Sequence, residues 1–420
     1  MKETTRKKAR EMLLRATGSS EKAEEAIKKM DESIEKAKQR VKRKIDPIYK
    51  EVVGKIEERV KDSRYLPWIL EKLMTVEQAR IALALPDPYR ESSTGKVTLS
   101  PEGMGVSEQF ARDLGMDKGT IDKYLVDLYY KGVVFPTRKG WQLPRGSSQF
   151  RDSSTNNPMV HDPLGQGYYE LWAAFLEEEW NIFRGERLKE AAATGTPTWR
   201  IVPRWKSIKD IPGVLPCEDV REILKMAQEN ISITNCPCRP GFANRTCDIP
   251  IESCINFHRT AEYNIVRGSG RKVTLKEALD VFNELDKYPV VHLVYNQKEV
   301  ERGLLCNCHW DCCGSFQGAI ALDCKLSDVI VKSRFEAVAD PEKCIGCKTC
   351  VKVCNFEAAG MKHYPEYGEE RSYIDTEKCM GCGSCVVNCP VGAQSMRMWQ
   401  PDPNYIPEIE TTVAGFYEKT

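Results

Sequence analysis

Two stretches near the end of the chain decide how it is read: CIGCKTCVKVC at 344–354 and CMGCGSCVVNCP at 379–390. Each carries the spacing C-x2-C-x2-C-x3-C. Cysteines at every third position of a tight loop turn three thiols toward one point, and a cubane [4Fe-4S] centre then needs a fourth thiolate from elsewhere. Gly346, Gly381 and Gly383 leave room for backbone amides to approach the cluster sulfurs. Structural zinc also uses paired cysteines, but two consecutive four-cysteine runs are not the pattern of a zinc ribbon.

The paired runs resemble the bacterial two-cluster ferredoxin domain. The resemblance implies that the fourth ligands are exchanged. Cys344, Cys347, Cys350 and Cys389 would hold one [4Fe-4S] cluster, and Cys379, Cys382, Cys385 and Cys354 the other. One departure stands out: Asn355 follows Cys354 where the family has proline.

Upstream lies a second set of thiols. Cys236, Cys238, Cys247 and Cys254 fall within 19 residues, and Cys306, Cys308, Cys312 and Cys313 within eight, with His258 and His309 nearby. Such density in Gly/Pro/Asn-rich segments exceeds what packing explains and points to metal. One further [4Fe-4S] cluster on each set is the first reading, and zinc held by four cysteines or by three and a histidine is the alternative. Cys312 and Cys313, as neighbours, point in different directions, so one of them can serve another site. The layout resembles a group of cysteine-rich, ferredoxin-fused proteins of anaerobic bacteria, on a C-P-C-R segment (236–239), a V-H-x-x-x-N segment (291–296) and a C-N-C/C-C segment (306–313). That resemblance implies iron-sulfur binding without naming a substrate. Cys217 and His292 read as core residues.

The rest of the chain frames these sites. Its 420 residues call for several domains. Lys and Arg total 62 against 61 Asp and Glu, so the net charge of +1 exerts no whole-molecule pull on nucleic acid or anionic lipid. No apolar run approaches the length of a membrane helix, no signal-peptide core follows the basic start, and a cytoplasmic location is expected. In a reducing cytoplasm 18 cysteines favour metal over disulfides.

The fold expected is multidomain α+β. A charged helical arm spans 1–65, amphipathic through Ala23, Ile27, Met30, Ile34 and Ala37 and broken at Asp46-Pro47. At 66–145, helices over 74–85, 107–114 and 118–130 followed by two strands within 133–143 resemble a winged helix. Its third helix sets Lys118, Lys123 and Lys131 against Asp117, Asp122 and Asp127, so DNA is not the expected partner. The Ser/Asn/Pro-rich stretch 145–158 reads as a linker. It leads into a cysteine-rich α/β middle domain (146–335), whose helix over 168–190 is expected to bury Trp172, Phe175, Trp180 and Phe183. The two-cluster ferredoxin fold (336–400) and a tail (401–420) complete the chain.

No dinucleotide fingerprint, P-loop or nucleophile elbow occurs, and no catalytic residue is assigned. The function expected is low-potential electron transfer through several clusters to or from a partner oxidoreductase in anaerobic metabolism. Two other classes stay open: a redox-sensing winged-helix regulator, and a reductase whose site lies in the middle domain with His258, His309 and Arg239 at hand.

Overall fold

The computed structural model describes residues 3–88, 101, 104–137, 139–195, 197–241, 248–300 and 303–408. It is a mixed helix and strand structure. Helices α1 (Glu3–Thr17) and α2 (Ser20–Arg40) form a hairpin, with Ser19 accepting the Lys22 N–H at the start of α2. The apolar stripe of α2, including Ala23, Ile27, Met30, Ile34 and Ala37, is buried. The break at Asp46-Pro47 falls where expected, and α3 (Ile48–Ile56) and α4 (Leu66–Leu73) follow. This arm lies on the body of the protein: Arg40 pairs with Glu170 at 2.9 Å, and Arg15 donates to the Ala359 carbonyl at 2.9 Å.

Helices α5 (Val76–Ala84), α6 (Glu108–Leu114) and α7 (Lys118–Tyr130) and the hairpin β1 (Phe135–Thr137)–β2 (Gly140–Gln142) occur in the order read from the sequence. Gly115, at φ +63°, ends α6 in the left-handed conformation that glycine adopts without strain. The hairpin does not project into solvent. Phe135, Thr137, Trp141 and Gln142 are buried, and Phe135 stacks on Tyr263 with ring centroids 5.2 Å apart.

The linker expected at 145–158 is instead a buried helix, α8 (Ser147–Thr155). Three of its five hydroxyls, on Ser153, Ser154 and Thr155, bond back into the helix, and Ser147 donates to the Glu57 carboxylate at 2.6 Å. Ser154 donates to the Phe150 carbonyl at 2.6 Å and Thr155 to the Arg151 carbonyl at 2.7 Å, so a polar composition coexists with burial. After α9 (Pro158–His161), the aromatic helix runs as α10 (Gln166–Phe175), one π-helical turn (Leu176–Trp180) and α11 (Asn181–Ala193).

A seven-stranded sheet follows. Its strands are β3 (Trp199–Val202), β4 (Ile231–Asn235), β5 (Glu252–Phe257), β6 (Gly270–Val273), β7 (Val291–Tyr295), β8 (Leu304–Cys308) and β9 (Ile330–Val331), in the spatial order β6-β4-β5-β8-β7-β3-β9. All pairs are antiparallel except β3 with β9. Helices α12 (Trp205–Ile208), α13 (Val220–Met226), α14 (His258–Val266), α15 (Leu275–Leu285) and α16 (Gly314–Ala321) connect them. Side chains alternate across a strand. One face therefore buries Ile233, Ile255, Leu305 and Val294 in an aliphatic core. The other presents Thr234, Cys254, Asn256, Cys306 and Cys308 to a cavity.

The C-terminal unit has two hairpin-like pairs, β10 (Phe335–Ala339) with β13 (Gln394–Met398) and β11 (Ala359–Tyr364) with β12 (Glu369–Ile374). Short helices α17 (Thr349–Lys352) and α18 (Ser384–Val387) follow the two cysteine loops. One hydrophobic core runs from Met12 through the middle of the chain to Met380 and Cys382, while the far face of the sheet and the C-terminal unit keep cores of their own, the latter around Phe335, Ala337 and Met396. Among the described residues, no helix is long and apolar enough to cross a membrane.

Candidate metal centres

The two C-terminal loops are built alike. Cys344 accepts the Ser372 N–H at 3.3 Å, and Cys379 accepts the Ala337 N–H at 3.4 Å. Cys354 and Cys389 accept from Ala358 and Ala393, four residues on, at 3.3 and 3.2 Å. Cys347 and Cys382 each lie beside a hydroxyl two residues on, Thr349 and Ser384. Amides directed at thiolate sulfur favour the charged form. Gly381, at φ +71°, could not carry a side chain, because a Cβ there would stand 2.0 Å from the Phe335 carbonyl oxygen.

The loops group their thiols across the pseudo-symmetry. Cys344, Cys347, Cys350 and Cys389 line one small cavity, where burial and then the other three thiols push the Cys350 thiol up. Cys385 has Cys382, Cys354 and Cys379 as its nearest thiols, with Cys350 beyond them. The first group faces solvent through exposed Cys347 and through Ile345, which is 58% exposed. The second lies inward: Arg204 N donates to the Cys382 carbonyl, and Ser384 Oγ to the Val290 carbonyl at 3.2 Å.

Asn355 makes the inward contact specific. It is 3% exposed. Its Oδ1 accepts the Trp310 N–H at 2.9 Å, and its Nδ2 donates to the Pro289 carbonyl at 2.6 Å. Proline in its place would lack both groups. The residue that departs from the ferredoxin pattern thus fastens the cysteine loop to the segment between Cys308 and Cys312.

In the middle of the chain the thiols from both sequence sets converge on one cavity of about 560 Å³. Cys238, Cys236, Cys254, Cys306, Cys308 and Cys313 lie against one another in that order as a continuous run. The two sets of four expected from spacing are therefore not spatially separate. The Cys306 thiol, between Cys254 and Cys308, is held low, to about 5, while burial and those contacts push Cys254 and Cys308 up. Thiols so close cannot all ionise unless a cation lies among them. Cys313 is the N-cap residue of α16, and its contact with Cys308, followed by the Phe316 and Ser315 amides, lowers its thiol. Cys312 turns away to a buried trio with His309 and Asp311, whose ligand atoms lie within 4.8 Å of one another. Cys247 lies outside the described residues.

Arg239 of the C-P-C-R segment holds this arrangement together. Its guanidinium donates to the Pro250 carbonyl at 2.7 Å, to Ser253 Oγ and to the Asn307 carbonyl, tying the loop after β4 to β5 and β8. His292 Nδ1 donates to Asn307 Oδ1 at 2.6 Å and is a buried core residue. Cys217 is buried and accepts at its carbonyl from Arg200. Sequence reasoning missed Arg151 of α8, Arg184 of α11 and the cavity role of Trp180, all of which line the cavity.

No curated protein and no solved structure matches the chain. Residues 343–393 match the family of 4Fe-4S dicluster domains, in agreement with the paired loops, and the C-terminal region is therefore a two-cluster iron-sulfur domain.

Proposed function

We propose that the protein is a low-potential electron carrier in which the two C-terminal clusters continue into a third metal centre at the thiol-lined cavity. Cys344, Cys347, Cys350 and Cys389 hold the outer cluster, and Cys379, Cys382, Cys385 and Cys354 the inner one. Ligands for the third centre come from Cys236, Cys238, Cys254, Cys306, Cys308 and Cys313. The donor set fits iron-sulfur chemistry: thiolates only, three of them buried and three half-buried, flanked by the guanidiniums of Arg151 and Arg239, which offset their charge. Bound there, such a centre supplies one-electron redox chemistry.

The observation that carries this reading is the bridge at Asn355. Cys354 of the inner group, the Asn355 amide, Trp310 and the cavity cysteines on either side of Trp310 form a short connected route. A single-cluster sensor has no use for such a sequence of sites. The hairpin after the third helix is packed against Tyr263, and the exposed outer loop is where a protein redox partner would dock. The test is to add electrons to anaerobically purified protein below one equivalent and follow each centre by freeze-quench EPR. Electrons should redistribute between the C-terminal clusters and a separate centre abolished by Cys306→Ala. A chain with only the C-terminal signals, unaffected by Cys306→Ala, would contradict the proposal.

A further inference from the structure

The cavity is larger than its thiols require and carries more cationic groups than the metal reading uses. At about 560 Å³ it falls in the range of small-molecule sites, which runs from roughly 300 to 1,000 Å³. Five arginines line it, Arg145, Arg151, Arg184, Arg239 and Arg259, against one carboxylate, Asp152, among the described lining residues.

Two of these guanidiniums are aimed into the cavity from its helical wall. Arg151 and Arg184 are each 6% exposed. Arg151 engages Asp152 through Nε and Nη2 and lies over the Trp180 ring, 4.5 Å from its centroid, but its buried Nη1 has no partner. The Arg184 guanidinium lies 5.9 Å from the centroid of the Trp180 ring, and among the described residues no carboxylate or carbonyl bonds it. It is placed by the contact of α11 with α16, where Gly185 meets Gly318 so closely that a Cβ on Gly185 would stand 2.4 Å from the Gly318 oxygen. An unpaired buried cation is costly unless an anion meets it.

Thiolates at the metal centre can offset part of this charge, since Cys236 and Cys238 face Arg151 and Cys313 faces Arg184. A sulfur already bound to metal is a single-point acceptor, however, whereas a guanidinium fork matches the two oxygens of a carboxylate. The remaining wall is aromatic. Trp199 stacks on Tyr295 at 4.8 Å and Phe135 on Tyr263 at 5.2 Å, and Trp199 Nε1 is buried with no partner among the described residues.

We propose that this cavity binds a small organic acid, with its carboxylate held by Arg151 and Arg184 and its apolar body against the aromatic wall. The site extends the reading above: it puts a bound molecule beside the third centre, and it depends on that reading only for the identity of its neighbour.

The test uses the full chain, purified anaerobically, with benzoate as the probe and benzyl alcohol and sulfate as controls, all by calorimetric titration. Benzoate should bind saturably and the two controls much more weakly. Arg184→Gln and Arg151→Gln should each weaken benzoate roughly tenfold to a hundredfold, the effect of losing a charge-assisted hydrogen bond, while Arg184→Lys, which keeps the charge without the fork, should fall between. Iron content is measured in every sample. Benzyl alcohol or sulfate binding as well as benzoate would overturn the assignment of an organic acid. So would benzoate affinity that neither substitution changes, or no benzoate binding by wild-type protein with full iron. If benzoate binds but the protein carries only the iron of the C-terminal clusters, the acid site stands and the third iron centre falls.

Discussion

Asn355 concentrates the account in one side chain. Its Oδ1 accepts the Trp310 N–H in a buried bond, and its Nδ2 donates to the Pro289 carbonyl. Asn355→Ala should cost about 1–3 kcal/mol for each group left unpaired. We expect a lower unfolding temperature with C-terminal iron retained, and slower electron passage to the cavity by freeze-quench EPR. A second contrast lies within the loops. A Cβ on Gly381 would overlap the Phe335 carbonyl, whereas one on Gly346 would stand 3.2 Å from the Glu370 oxygen, and both residues have positive φ. Gly381→Ala should therefore deplete its cluster markedly more than Gly346→Ala depletes the other, as read by the EPR intensity of each centre. The eight cysteines of these loops were legible because both local spacing and repetition specify them. Arg151 and Arg184 were not, because single arginines in unrelated helices carry no pattern until the helices are packed.

At the scale of elements, alternation explains what spacing alone obscured. Cys306 and Cys308 sit two apart in β8, and Cys254 lies in the neighbouring strand β5, so the period of a strand turns all three to one face. The C-N-C segment held that signal, but which strands are neighbours is a long-range fact that sequence proximity does not reveal. The helices over 107–114 and 118–130 and the hairpin after them were legible from caps and turn residues. The helix α8 was hidden because serine and threonine usually mark turns, and only burial shows their hydroxyls bonded back into the helix. The crossing of α11 and α16 at Gly185 and Gly318 tests how this wall is held. Gly185→Ala forces backbone apart and should destabilise by about 1–3 kcal/mol, the usual cost of overpacking. Thermal unfolding of the anaerobic protein measures it, and a neutral result would show the helices free to separate.

Over the whole molecule, one core joins the arm, the hairpin and the edge of the ferredoxin unit, a long-range meeting that apolar faces do not announce in sequence, while that unit keeps a core of its own around Phe335 and Met396. Stability should also carry the imprint of two buried histidines. Burial lowers His161 and His292 to about 4 from 6.5. The unfolded chain then binds more protons between those values, so their contribution is present above pH 6.5 and is lost as pH falls toward 4, on the order of 3 kcal/mol each. Unfolding temperatures from pH 7.5 to 6.0 should begin to fall, and His292→Gln should flatten the slope. The central claim, that the converging thiols form a third iron centre, is tested most directly by iron, sulfide and zinc analysis of the anaerobically purified full chain. The account predicts iron and sulfide clearly above the roughly eight of each that two cubanes hold, with the excess lost in Cys306→Ala. About eight irons with one zinc per chain would contradict it and make the cavity cysteines a structural zinc site.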